Sequence, residues 1–263
     1  MKSIVLMKPI PFNYPGYDQT GYSQPDRNKG QILNPADMNA LEAALELKDN
    51  YGGEVLAVSM GSCHSEKLLR QALAMGADEA YLLCDSCFAG SDTLMTATVL
   101  HQAIHKIGAF DIILCGYRTT DGETGQVGPE LAALLGISCV THCVAFRLDR
   151  DRLICERYLE QNREVLSAPV PSIVTLKASV NLPRLPTIKG LQFAEKAEIP
   201  KWDHKILKMD PLKCGLLGSP TQVVKIEMKP LVKRTAKYCI PENEGYQALY
   251  KFLKEISFEV GVE

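Results

Sequence analysis

The sequence lacks any uninterrupted apolar run of about 18 residues, which is the length that a membrane-spanning helix requires. Its first apolar stretch, residues 4–7, ends at Lys8, so the start resembles neither a signal peptide nor a membrane anchor. An excess of charge is also missing, because 29 basic residues stand against 31 acidic ones. We therefore predict no membrane insertion, no nucleic-acid partner and a cytoplasmic location.

A regular cysteine framework is missing as well. The nine cysteines are an odd number, and several lie inside strand-like or helix-like patterns, which favours reduced thiols over disulfides. Cys84 and Cys87 have the C-x-x-C spacing of dithiol redox motifs, but the chain offers no second matched pair for zinc. We predict that both are plain thiols and that the chain holds no metal.

The sequence shows no group of residues that is typical of a catalytic or metal site. His101 and His105 lie one helical turn apart, as metal ligands can, but Gln102 replaces the glutamate of H-E-x-x-H and no third ligand is evident. No serine or cysteine can be combined with a histidine and an aspartate into a nucleophilic site. We therefore name no catalytic residue.

The sequence does contain a repeated alternation of short apolar runs and helical patterns. Strands are predicted at residues 4–7, 54–59, 80–84 and 111–115, and helices begin at Asn34-Pro35 and span residues 65–75 and 92–107. From residue 140, every second residue up to Leu148 belongs to one alternating set, which predicts a hairpin with strands at 140–148 and 153–159. Further strands are predicted at 163–166 and 172–176. This order predicts an α/β fold with a doubly wound, mostly parallel, Rossmann-like sheet and an antiparallel hairpin addition.

Two segments do not fit this pattern. Residues 9–30 contain four prolines and three glycines without periodicity, which is typical of a lid or a partner-contacting loop. Seven prolines follow residue 181, and that part is too irregular for a compact domain. We predict an α/β nucleotide-binding domain at 1–200 and an extended arm at 201–263 that wraps a partner subunit, with one helix at 244–256.

The segment from Asp111 to Pro129 carries the chemistry. It joins a buried strand to a helix, and its glycines allow backbone amides to approach a ligand while its threonines offer hydroxyl groups. The helix N-terminus at 124–127 presents unpaired N–H groups to an anion, at the sheet edge where α/β proteins bind ligands. A phosphate site is one interpretation, and an ordinary strand-to-helix loop with turn glycines is the other, because neither G-x-G-x-x-G nor the P-loop motif is present.

Four separated segments resemble a known family in order and spacing. They are residues 32–45 with Asn34-Pro35, residues 57–61, residues 72–78 and residues 121–129. Together with Pro183-Arg184 and Lys189-Gly190, they are similar to the β subunit of electron-transfer flavoproteins. The resemblance covers about residues 1 to 200 and fades in the arm.

The resemblance implies a heterodimer in which an α subunit carries a redox FAD. The β subunit then holds a second nucleotide, either AMP or a second FAD. Carried over residue by residue, the nucleotide contacts would be Leu6, Lys8, Asn34, Pro35, Met60, Gly116, Thr119, Thr120, Asp121, Gly122, Glu123, Thr124, Gly125, Gln126 and Val127.

Details of the loop favour FAD over AMP. Gly125 and Val127 stand where the AMP-binding group usually has Asn and Thr, so the loop is more similar to the two-FAD group, whose members oxidise NADH by electron bifurcation. Two departures, Phe12 and Ala36, lie where the β subunit would approach flavin. The resemblance also implies that an acyl-CoA-type or other dehydrogenase docks near Ile188. The alternative hypothesis is an ATP- or AMP-binding α/β enzyme or sensor without flavin.

Overall fold

The computed structural model of the protein describes residues 1–11, 30–159, 162–224 and 244–259. The chain divides into two units, Met1–Gln222 and Val223–Glu263. The first unit contains every strand, and the second contains one described helix. Phe12 and most of the predicted lid, as well as residues 225–243 of the predicted arm, lie outside the described residues.

The first unit alternates strands and helices through residue 135 and then adds further strands. The strands are β1 (Lys2–Leu6), β2 (Pro9–Pro11), β3 (Gln31–Leu33), β4 (Glu54–Met60), β5 (Glu79–Leu83), β6 (Ile112–Gly116), β7 (Ser138–Asp149), β8 (Arg152–Leu159), β9 (Asn162–Pro169), β10 (Ser172–Leu176) and β11 (Lys201–Trp202). The helices are α1 (Pro35–Tyr51), α2 (Glu66–Met75), α3 (Thr93–Ile107), α4 (Val127–Leu135), α5 (Ile188–Lys196), α6 (Gly215–Gly218) and, in the second unit, α7 (Glu244–Glu259).

A nine-stranded sheet forms the centre of the first unit. Its order is β11-β5-β4-β1-β6-β10-β7-β8-β9, and every neighbouring pair is parallel except β7–β8 and β8–β9. The predicted fold class is therefore confirmed, with the antiparallel addition extended to a third strand, β9.

Apolar side chains cover both faces of this sheet. In β1, Val5 joins the layer under α1 and α2, whereas Ile4 and Leu6 join the layer under α3 and α4. Because successive side chains of a strand point to opposite faces, the continuous apolar run of β1 supplies both layers. The sequence pattern thus explains why the central strands are buried on both sides.

The segments that lacked periodicity contribute regular elements at their ends. The start of the predicted lid forms β2, which pairs antiparallel with β3, the strand that directly follows the lid. At the other end of the chain, β11 pairs with β5, and the Trp202 ring lies 4.5 Å from the ring of Tyr81. The first unit therefore includes the opening part of the segment that we predicted as an arm, up to Gln222.

One cysteine prediction is wrong. Cys63 and Cys84 form a disulfide, with their Cα atoms 5.8 Å apart, so they are not reduced thiols, and Cys84 does not pair with Cys87. Cys63 follows β4 and Cys84 follows β5, and these strands are parallel neighbours whose ends lie side by side. Residues 21 positions apart in sequence therefore meet at one sheet edge, which their spacing alone did not reveal.

None of the helices in the described parts of the chain combines the length and the apolar composition needed to cross a membrane.

Candidate functional site

The candidate site lies where three adjacent parallel strands end. Lys8 follows β1, Met60 ends β4 and Gly116 ends β6. The N-terminus of α1 at Asn34 reaches the same edge, because the backbone N–H of Asn34 donates to the carbonyl oxygen of Lys8 at 3.0 Å. The topology thus brings the separated predicted residues to one place.

A buried carboxylate that sequence reasoning did not include holds these ends together. Asp37 is 3% exposed, and its two oxygens accept hydrogen bonds from the backbone N–H groups of Lys8 and Gly116, both at 2.8 Å. Burial raises the pKa of Asp37 to about 6, although the hydrogen bonds from Lys8, Asn34 and Gly116 act against that rise. In the sequence, Asp37 stands in the first turn of a predicted helix and is not among the predicted contact residues.

Gly116 is required by the same contact. A Cβ atom there would lie 2.5 Å from Oδ1 of Asp37 and 2.7 Å from Cβ of Ala36. Because these distances are far shorter than van der Waals contact, α1 can approach β6 only beside a glycine. Ala36, one of the two departures from the family pattern, is therefore buried against Gly116.

An ion pair connects the first strand to the loop that follows β6. Nζ of Lys8 lies 2.8 Å from each carboxylate oxygen of Asp121. Burial tends to raise the pKa of Asp121, but the hydrogen bond and charge of Lys8, aided by Thr119, lower it overall. Asp121 of the loop therefore fixes the position of the Lys8 ammonium at the end of β1.

The backbone of this loop turns sharply between β6 and α4. Glu123 and Gly125 both have left-handed φ values, 51° and 64°, and the N–H of Glu123 donates to the carbonyl oxygen of Thr119 at 2.9 Å. Helix α4 then begins at Val127 without a side-chain cap. Among the described residues, the N–H groups of residues 124–128 have no hydrogen-bond acceptor. Such a group of free amides at a helix N-terminus is suited to bind an anion.

Asn34 supplies an independent sign of a ligand. The residue is 1% exposed, and its Nδ2 donates to the carbonyl oxygen of Arg118 at 3.0 Å. Its Oδ1 is buried and has no hydrogen-bond partner in the described part of the chain, as is also true of Oγ of Ser59 and of Ser62 beside the end of β4. An unpaired buried oxygen costs about 1–3 kcal/mol unless a partner satisfies it, so these atoms fit a polar ligand.

Comparison with known proteins identifies the family. Residues 25–207 match the electron transfer flavoprotein domain. The chain is 42% identical over 226 residues to the electron transfer flavoprotein subunit beta of Thermoanaerobacterium thermosaccharolyticum, covering 85% of this chain and 86% of that protein. It is 44% identical over 206 residues to the same-named subunit of Megasphaera elsdenii, covering 76% of each. The chain belongs to the electron transfer flavoprotein family.

As a β subunit of that family, the protein functions in electron transfer, which confirms the prediction made from the resemblance. It is also 40% identical over 195 residues to the caffeyl-CoA reductase-Etf complex subunit CarD of Acetobacterium woodii, covering 74% of each chain. The matches extend over most of the first unit.

In this electron transfer flavoprotein, the predicted contact residues differ in their exposure and in their partners. Leu6 is 6% exposed and packs in the apolar layer under α3. Oε1 of Gln126 accepts a hydrogen bond from Oγ1 of Thr93 at 3.3 Å. Met60 is half-buried at the end of β4, and the exposed members of the predicted set are Pro35, Thr120, Gly122, Glu123, Thr124 and Gln126. Lys8, Asn34, Gly116 and Asp121 therefore form the described framework, with the free amides of the loop.

The predicted docking segment is strongly exposed. Ile188 begins α5 and is 77% exposed, and Leu182 and Leu185 precede it at 89% and 85%. The segment is nevertheless anchored, because the guanidinium of Arg184 binds Glu42 of α1 at 2.9 Å. A fixed backbone with exposed apolar side chains is typical of an interaction surface.

Proposed function

We propose that this β subunit binds an adenine nucleotide, FAD rather than AMP, at the carboxyl ends of β1, β4 and β6. The observation that carries the proposal is the set of N–H groups at 124–128, which have no acceptor among the described residues, beside the Lys8–Asp121 pair. Backbone amides and a lysine ammonium are suited to phosphate oxygens, and Oδ1 of Asn34 can accept a hydrogen bond from a hydroxyl or amino group.

The choice of FAD rests on the loop between β6 and α4. Gly125 and Val127 place no polar side chain where AMP-binding relatives usually carry Asn and Thr. A bound FAD supplies hydride and single-electron chemistry, including NADH-dependent bifurcation in the two-FAD case. The residues of this chain bind and orient the group: the loop amides receive its phosphates, and Asp37 fixes the two strand ends that carry them.

We further propose that the subunit works in a heterodimer with an α subunit that carries another FAD, and that a dehydrogenase or reductase docks near Ile188. The relative CarD is named as a subunit of a caffeyl-CoA reductase-Etf complex. The exposed side chains around Ile188 support such docking. In the second unit, Leu249, Phe252 and Leu253 are each more than half exposed on α7, which supports partner contact by the predicted arm.

Cofactor stoichiometry tests the proposal directly. The chain is co-produced with its α subunit, the purified pair is denatured, and the released FAD and AMP are counted by chromatography. About two FAD per heterodimer is the expected result. Release of one FAD and one AMP would show that this site binds AMP and not FAD. Release of no nucleotide beyond the α-subunit FAD would contradict the proposal that this chain binds a nucleotide here. Nucleotide hydrolysis by this chain alone would support the alternative enzyme or sensor.

A matched pair of variants tests the loop itself. Gly125→Asp and Gly125→Asn introduce side chains of the same size at the same left-handed residue, where a Cβ atom would lie 2.9 Å from the carbonyl oxygen of Tyr117. Only the aspartate adds a negative charge. We expect Gly125→Asp to retain at least about tenfold less nucleotide than Gly125→Asn, because the charge repels phosphate. Equal retention by the two variants would remove the phosphate from this loop.

A further inference from the structure

A second cluster of reactive side chains lies apart from the proposed nucleotide site, at the ends of the two outermost strands on one side of the sheet, β5 and β11. Asp85 and Cys87 follow β5, and His204 follows β11. One ligand atom from each of the three residues lies within 4.8 Å of those of the other two. Because β5 and β11 are parallel neighbours, the turns that follow them meet at the same edge.

Asp85 fixes the geometry of this cluster. Its Oδ1 accepts a hydrogen bond from the backbone N–H of Cys87 at 3.0 Å, and its Oδ2 accepts one from the backbone N–H of His204 at 3.1 Å. The same Oδ2 lies 2.5 Å from Nδ1 of His204. A carboxylate that holds one ring nitrogen orients the imidazole and leaves the other nitrogen to bind a ligand, as is usual for metal-binding histidines.

A second thiol lies beside this set. Cys214 is 2% exposed, its Sγ donates to the carbonyl oxygen of Asp210 at 3.2 Å, and the thiol of Cys87 is a neighbour of its thiol. The position of Cys214 is set by tight packing, because a Cβ atom on the next residue, Gly215, would lie 2.2 Å from the carbonyl oxygen of Cys87. A thiol, an imidazole and a carboxylate therefore converge from two segments that are more than a hundred residues apart, and the thiol of Cys214 lies next to them as a candidate fourth ligand.

We propose that Cys87, Cys214, His204 and Asp85 form a binding site for Zn²⁺. Thiolate and imidazole ligands select zinc among the common divalent ions, and a set of four protein ligands is typical of a structural site. In this arrangement Asp85 either binds the ion directly or positions His204, and the two thiols release their protons to solvent as the ion binds. The ion would fasten residues 203–214 to the turn after β5.

Cobalt substitution tests the proposal in the full chain co-produced with its α subunit. Metal is removed with a chelator, and Co²⁺ is added until the thiolate-to-cobalt absorption band saturates, measured as a difference spectrum against the Zn²⁺-loaded protein. We expect saturation at about one ion per chain. Cys87→Ser and Cys214→Ser should each weaken the band and lower the affinity at least about tenfold, and His204→Gln should lower the affinity similarly.

Two control variants account for other ligands. Cys139→Ser removes a half-buried thiol on β7, and the double variant His101→Gln/His105→Gln removes two rings whose Nε2 atoms lie 3.1 Å apart. Both controls should keep the full cobalt spectrum. The unmodified chain gives a second measurement that needs no variant: Zn²⁺ should protect Cys87 and Cys214, but not Cys139, from alkylation detected by peptide mass mapping.

Three results would overturn the proposal. One is the absence of a thiolate-to-cobalt band in the unmodified chain. Another is a band of full strength in both Cys87→Ser and Cys214→Ser. The third is a disulfide between Cys87 and Cys214 in protein prepared without metal removal. None of these outcomes depends on flavin content, so failure here and failure of the nucleotide proposal are distinguishable.

Discussion

Asp37 combines two tasks that usually fall to different residues. Its carboxylate accepts hydrogen bonds from the backbone N–H groups of Lys8 and Gly116. Asp37 also lies in the first turn of α1, where the helix dipole favours a negative charge. Burial nevertheless opposes the charged form strongly enough to bring its pKa to about 6. The framework of the proposed nucleotide site therefore contains a group that titrates close to neutral pH.

This titration predicts a pH-dependent stability. In the unfolded chain the carboxyl ionises near 3.8, and in the folded chain at about 6, so between these values the folded state keeps a proton that the unfolded state has lost. The contribution of Asp37 to the free energy of unfolding should fall by up to about 3 kcal/mol as pH rises through this window and stay constant above it. Urea unfolding of the wild type and Asp37→Asn between pH 4 and 7 measures the difference.

The control for this titration is Asp151→Asn, which changes an exposed carboxylate in the hairpin turn. The free-energy difference between wild type and Asp151→Asn should not vary over the same pH range. If the difference for Asp37→Asn is equally flat, Asp37 does not carry a raised pKa.

The sequence placed Lys8, Asn34, Gly116 and Asp121 in the predicted site and did not include Asp37. The first four were predicted from the resemblance to the family. The contacts of Asp37 could not be predicted from local sequence, because they depend on two strand ends that are 29 and 79 residues away. The same reason applies to Cys63, Cys84 and His204, whose neighbours are set by strand order.

Helix α4 approaches the sheet unusually closely at Gly128. A Cβ atom there would lie 2.8 Å from Cγ2 of Thr175 in β10 and 3.3 Å from Sγ of Cys115 in β6. The free amides at 124–128 precede and begin this helix, so the contact also sets their position relative to the strand ends. Packing of one helix turn thus controls the geometry of the proposed phosphate site.

Gly128→Ala should therefore be destabilising. The added methyl group must push α4 from the sheet, which typically costs about 1–3 kcal/mol, and the shift should lower nucleotide retention in the purified heterodimer. Urea unfolding and cofactor content measure the two effects. Ala133→Ser, on the exposed side of α4, should leave both unchanged, and a neutral Gly128→Ala would show that the helix has room for a side chain.

The disulfide between the ends of β4 and β5 predicts a redox-dependent stability. It closes a loop with a sequence separation of 21, for which the chain-entropy account predicts a stabilisation of about 3 kcal/mol. Cys63→Ser should lower the free energy of unfolding by this amount without reductant and match the wild type when reductant is present. Cys139→Ser should have no such redox-dependent effect, and a reductant-insensitive wild type would show that the pair does not contribute.

Most elements of the sheet were predictable because their signals are local. The predicted bounds of β10 agree with the structure. Those of β4 and α3 differ by one residue at one end, and β5 and β6 are each displaced by one residue. The short pair β2–β3 was missed, since each strand has three residues and is rich in proline or lies beside a loop. Strand β11 was missed for the same reason: its two residues join the sheet through pairing with β5, which no local pattern encodes.

The division of the chain at Gln222 predicts how truncations behave. A chain ending at residue 222 keeps the first unit, including Trp202 and Leu207, which are 9% and 3% exposed. A chain ending at residue 200 lacks both side chains, and losing their apolar burial should lower the free energy of unfolding by about 3–5 kcal/mol. Thermal unfolding should place the 1–222 chain near the full chain and the 1–200 chain well below it. Equal midpoints for the two truncations would show that residues 201–222 add no stability.

Strand β10 lies between β6 and β7, although 55 residues separate the end of β6 from the start of β10. Until residue 176 has left the ribosome, β6 therefore has one unpaired edge, and the hairpin that starts with β7 has no neighbour to join. Parallel pairing over such separations forms slowly and leaves apolar edges open to other chains. During synthesis, a chain of this design should therefore expose unpaired strand edges for longer than one whose strands pair in the order of synthesis.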